Sequence, residues 1–255
     1  MTIALRQPNN RSNHMAITLS SGEVVLIGGV SKRSSVGYDP GTGRWRTIGP
    51  PKLPAAGQAT ALLTDGRVLV CGGFEAGGVI GTEAVALDPV GERWQVLAPL
   101  QGRRAFHSAT ALADSRILVV GGRAGEGATV LSPDNSLHPG SSRQVGPAER
   151  FDPRLGAWVS AGALFTPRAS HTATRLSDGR VLVVGGVGQS DRAIADVERY
   201  DPQNDTWQIV APLIQARADH ATVLLPDGEV LVIGGIGTLG NTPGQLHVSG
   251  GGRRG

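Results

Sequence analysis

Five short apolar runs punctuate the chain, and each closes on a pair of glycines: EVVLIGG at 23–29, RVLVCGG at 67–73, RILVVGG at 116–122, RVLVVGG at 180–186 and EVLVIGG at 229–235. Runs this short and this continuously aliphatic predict strands buried on both faces. Around the fourth run the pattern reads as four strands, at 171–176, 180–186, 197–201 and 207–212. The first two are joined by Ser177-Asp178-Gly179, which supplies the positive φ that a tight hairpin needs. Pro202 ends the third strand and opens the next turn.

Spacing turns the runs into a repeat. From Trp45, Trp94, Trp158 and Trp207 the first glycine of the next pair always follows 27 residues later. Thirteen residues after each Trp stands Gln58, His107, His171 or His220, and His14 holds the same place 14 residues before Gly28. Three residues before that position come Arg11, Arg104, Arg168 and Arg217, with Ala55 in the second copy, so the copy without His also lacks Arg. A spacing held without slippage marks one rigid unit. The interval from the second glycine to the next Asp-Pro triplet does vary, from 9 residues (Gly29 to Tyr38) to 29 (Gly122 to Phe151). All insertion and deletion falls in that connection.

These residues resemble the kelch repeat: R-x-x-H, an apolar run ending in Gly-Gly, then YDP at 38–40, LDP at 87–89, FDP at 151–153 or YDP at 200–202, then Trp. The resemblance covers nearly the whole chain, with the second copy degenerate and the fifth lacking its Asp-Pro and Trp. A sialidase-type Asp box is excluded, because no copy has Ser or Thr two residues before the Asp. Kelch resemblance implies an all-β propeller of four-stranded antiparallel blades, an architecture that protects strand edges by closure. The units fall at about 11–50, 55–99, 104–162, 168–212 and 217–250, within one domain spanning 1–250 and followed by a flexible tail at 251–255. Residues 1–8 stand in the register of a fourth strand, so the expected fold is a five-bladed ring closed by the N-terminal strand. The competing reading is part of a six- or seven-bladed propeller.

Composition narrows the function. With 38 Gly, 16 Pro and 18% charged residues the chain fits many short strands and turns. The single Cys71 excludes an internal disulfide and a cysteine-based zinc site. A net charge of +3 gives little support to nucleic-acid binding, and no apolar stretch long enough to insert in a membrane occurs. No secretory signal opens the sequence, so a soluble, cytoplasmic monomer is the default expectation, secreted only if an upstream segment is missing.

The repeated Trp45, Trp94, Trp158 and Trp207 are expected to be core. His107, His171 and His220 and the signature arginines are expected to be structural, through hydrogen bonding or through packing such as that of Arg near the preceding Trp. Ligands from separate blades cannot converge on one ion, so no metal and no cofactor are expected. A copper radical centre of the galactose oxidase kind lacks its tyrosines here, since Tyr38 and Tyr200 belong to the repeat. P-loop, HExxH and GxSxG patterns are absent. A catalytic role is therefore not expected. Every length change lies on one face of the propeller, where recognition by loops is expected. Candidate binding residues there are Arg103, Arg104, Arg123, Glu126, His138, Arg143, Arg168 and Arg192, mildly basic together and suited to an acidic protein or carbohydrate partner. The kelch resemblance implies a binding or scaffold module. The alternative is a mutarotase-like carbohydrate enzyme using Glu126, Asp191 or His138 in the channel mouth.

Overall fold

The computed structural model describes residues 11, 13–29, 35–49, 56–74, 79–90, 92–125, 143–237, 240–241 and 245–249. Five antiparallel sheets follow one another along the chain. The first contains β1 (Met15–Thr18), β2 (Val24–Ile27), β3 (Ser35–Asp39) and β4 (Arg44–Ile48). The second contains β5 (Ala59–Leu62), β6 (Val68–Cys71), β7 (Ala84–Asp88) and β8 (Arg93–Val96). In the third, β9 (Ser108–Ala111), β10 (Ile117–Val120), β13 (Pro147–Asp152) and β14 (Ala157–Ala163) form the sheet, and β11 (Arg123–Ala124) pairs with β12 (Arg143–Gln144) above it. The fourth contains β15 (Thr172–Arg175), β16 (Val181–Val184), β17 (Val197–Asp201) and β18 (Thr206–Val210). The fifth contains β19 (Ala221–Leu224), β20 (Glu229–Ile233) and β23 (Gln245–Ser249), with a small β21 (Ile236–Gly237) to β22 (Gly240–Asn241) ladder beside it. Residues 1–8, the expected closing strand, lie outside the described residues.

Each sheet is a blade, and the second strand explains why its sequence is continuously apolar. Alternate side chains point to the two neighbouring blades. Val25 and Ile27 of the first blade pack against Val68 and Val70 of the second, whose Leu69 and Cys71 meet Ile117 and Val119 of the third. Leu118 and Val120 in turn meet Val181 and Val183, and Leu182 and Val184 meet Val230 and Val232. Among the described residues the core is thus four apolar layers between blades, with a smaller cluster of Phe74, Ile80 and Ala105 besides.

The tryptophans sit on the outer strand of blades one to four, where the same register pairs Tyr38, Leu87, Phe151 and Tyr200 with Trp45, Trp94, Trp158 and Trp207. Trp158 is buried in the core, Trp94 and Trp207 are half-buried and pack against it, and Trp45 is half-buried outside these clusters. Half-burial follows from their place at the rim, where one ring edge bonds backward. Trp94 Nε1 donates to Gly49 O at 3.0 Å, Trp158 Nε1 to Ala98 O at 2.7 Å and Trp207 Nε1 to Ala161 O at 2.8 Å, each a carbonyl of the preceding blade. These indoles therefore staple consecutive blades. Trp158→Ala should cost about 3–5 kcal/mol in urea unfolding, and Trp207→Ala, whose ring is less buried, should cost less; equal losses would show that burial does not set their weight.

Candidate binding face

The glycine pairs carry positive φ in every blade, and they end the second strand where two blades come closest. A Cβ on Gly72, Gly121 or Gly185 would lie 2.5 Å from the backbone oxygen of Arg104, Arg168 or Arg217 on the next blade, so only glycine fits. The second glycine then donates across the joint: Gly73 N to Arg104 O, Gly122 N to Arg168 O and Gly186 N to Arg217 O, all at 2.8 Å.

The arginine side chains turn back into their own blades. Arg11, Arg104, Arg168 and Arg217 each donate through Nη1 to the carbonyl of the first glycine 17 residues on, at 3.1, 3.1, 3.1 and 2.7 Å. In blades three and four a carboxylate completes the joint. Arg104 pairs with Glu149, and Arg168 pairs with Glu198 at 2.6 Å. Glu149 also accepts from the backbone of Gln101 and Gly102, and Glu198 from Phe165 and Thr166, so each glutamate fixes the loop leading into its blade. Arg104 and Arg168 are 1% and 0% exposed, so neither is offered to a partner, a correction to their place among the candidate binding residues, and their structural role is hydrogen bonding. Sequence proximity to a loop does not reveal that the guanidinium turns inward to meet the glycine carbonyl.

The histidines seat the joint from the other side. Ser108 Oγ lies 2.9 Å from His171 Nε2, Thr172 Oγ1 lies 2.9 Å from His220 Nε2, and Cys71 Sγ lies 3.6 Å from His107 Nε2. Among the described residues no group of three His, Cys, Asp or Glu could hold a metal ion. Burial, reinforced by the neighbouring arginine charge, pushes His171 down to about 3 and His220 to about 4, and lowers His107 likewise.

One residue before each histidine position, Asn13, Gly57, Phe106, Ser170 and Asp219 all have positive φ, between 52° and 69°. Phe106 N donates to Gly57 O, Ser170 N to Phe106 O and Asp219 N to Ser170 O, which links the blades through backbone around the central mouth. The varied side chains at this fixed place are a feature that sequence spacing could have singled out. Beside them, Asp191 accepts from Arg123 Nη2 at 2.6 Å and from Gln144 Nε2 at 3.2 Å. A cleft of about 560 Å³ opens here, lined by Asp191, Arg192, Asp219, Val187 and Ile236 among others.

Of the candidate residues, Arg192 lines the cleft and is exposed, and Arg123 is tied to it through Asp191. Arg103 is exposed over blade two, where Nη1 donates to Ile80 O at 2.9 Å. Arg143 is placed by its backbone in β12, opposite Ala124. Glu126 and His138 lie outside the described residues.

Five blades in series, four of them four-stranded and the fifth three-stranded among the described residues, joined by buried glycine contacts, define a β-propeller fold. A family model described as Kelch motif matches residues 168–214, the fourth unit. No curated protein matches the chain. The solved structure of YjhT matches in fold with a TM-score of 0.72 at 15% identity, over 93% of this chain and 80% of that one. The fourth unit thus carries a kelch motif, and the chain as a whole shares the fold of that solved structure.

The histidine joints make stability depend on pH. Folded pKa values lie below the ordinary 6.5, so the unfolded chain binds more protons, and the stabilisation present above about pH 6.5 is lost as pH falls toward 4 and 3. His171→Gln, which copies Gln58 of blade two, should keep the fold at neutral pH and flatten the acid slope by up to about 1.4 kcal/mol per pH unit. Urea midpoints between pH 7 and 4 check it; an unchanged slope would show that this imidazole does not titrate on unfolding. Glu198→Gln should instead cost about 3–5 kcal/mol at neutral pH, because it leaves Arg168 buried without its charge partner.

Proposed function

We propose that this kelch propeller is a non-catalytic binding or scaffold module that recognises a protein or a glycan through its loop face. The observation that carries this reading is the cleft over blades four and five. One of its acidic groups, Asp191, is already held by Arg123 and Gln144, so that part of the polar lining is pre-ordered, while Arg192 stays outward. Phe165 and Ile214 stand at the same place in the loops leading into blades four and five, 61% and 86% exposed. Exposed apolar tips around fixed polar groups are the mixture that protein recognition uses. The kelch fold supports a binding or scaffold role in general, but it does not specify the ligand. The loops vary where the scaffold does not, which suits them to recognition.

A second reading has one observation behind it: two carboxylates, Asp191 and Asp219, line the same cleft. That arrangement suits a carbohydrate-active enzyme if sugar enters between them.

Phe165→Ala combined with Arg103→Ala and Arg192→Ala should leave the melting temperature within a few degrees and weaken partner capture about tenfold or more, with less salt dependence in what remains. Arg154→Ala, on the opposite face beside the Asp152 turn, should change nothing. Affinity chromatography and glycan arrays with the purified chain read both outcomes. Capture that survives the triple variant moves recognition off the loop face. Turnover of a sugar that is lost on Asp219→Asn favours the enzyme.

A further inference from the structure

The internal joints define what a finished blade face looks like, and the fifth blade does not match it. On the side facing the following blade, the second strand presents Val25 and Ile27, Leu69 and Cys71, Leu118 and Val120, or Leu182 and Val184, none more than 1% exposed. The register-equivalent residues of the fifth blade are Leu231 and Ile233. Leu231 is half-buried, and Ile233 is 40% exposed. Beside them on β19, Val223 is 49% exposed, whereas its counterpart Thr174 bonds to Thr222 across a joint at 2.7 Å. A side chain built on Gly234 would meet nothing within 4 Å, while Gly72, Gly121 and Gly185 are covered by the next blade. Completing the outer edge of the fifth blade with a strand would not cover this face, because the edge and the face point in different directions.

We infer that the forward face of the fifth blade is a docking surface for one further kelch-type blade from outside these 255 residues. The three joints between blades two and five state the chemistry of that occupant. It offers two aliphatic side chains to Leu231 and Ile233, an arginine carbonyl to the Gly235 amide, and an imidazole over Gly234. The first blade of a second copy is not that occupant, since its backward-facing Leu26 is already only 5% exposed. The propeller of similar fold is longer: this chain matches 80% of it, and the remaining fifth has room for one more blade.

A probe blade can be made from the chain itself. Ser249 holds the register place of Asp152, so a copy of 153–212 joined after Ser249 supplies an outer strand and then a whole blade. Ile233→Cys reports on the face, because the native Cys71 is buried. Maleimide should label the thiol introduced by that substitution rapidly in the 255-residue chain, and the probe blade should slow it by about tenfold or more. Equal labelling with the probe blade folded overturns the inference. So does slow labelling in the monomeric parent, which would mean closure onto the chain's own first blade. Slow labelling that depends on concentration and accompanies a dimer overturns it as well, in favour of a second copy. Ile233→Asp in the parent keeps the test independent of whether the probe folds. It should leave the melting temperature within a few degrees, and a large fall would show that the chain already buries this face.

Discussion

Everything else in this propeller depends on the contact between one blade's glycine pair and the arginine backbone of the next. Two blades can approach there only because no Cβ intervenes, and the close approach lets the second glycine donate across the joint. The side chain of the same arginine bonds to the first glycine of its own blade, 17 residues on, so one residue ties strand, joint and incoming loop together. A buried guanidinium is costly to desolvate, and its bonds to fixed carbonyls and to Glu149 or Glu198 offset that cost. The Arg-x-x-His signature and the Gly-Gly signature are two halves of one device, which accounts for their locked spacing.

The repeat, the four strands per unit and the position of the variable loops were legible because they are consequences of that rigid spacing. The inward turn of Arg104 and Arg168 was not, since a residue next to a loop in sequence can point to either side of the sheet. Glu149 and Glu198 escaped notice for a related reason: they stand in the third strand of only two units, and only the fold brings them to an arginine. Trp94 and Trp207 pack against the core from its rim, where their indole N–H groups bond backward to the preceding blade, a bond that spacing does not reveal. The mouth-lining positions 13, 57, 106, 170 and 219 share a backbone conformation but no side-chain chemistry, so pattern alone passed over them.

The division of labour in the molecule follows from these contacts. Invariant groups are consumed between blades, where they are buried, neutral or paired, and leave little chemistry to spare. Variable groups project from loops anchored at both ends by the joints, so Asp191, Arg192, Phe165 and Ile214 are displayed on a stiff base. A recognition site of this kind binds without first having to order its scaffold.

Native-state hydrogen exchange tests the joint directly. The amides of Gly73, Gly122 and Gly186 should exchange only through global unfolding, with protection close to the full unfolding free energy, while those of Asp191 and Arg192 exchange far faster. Glycine amides that exchange as fast as the loop would contradict the account, because the blades would then separate without the chain unfolding.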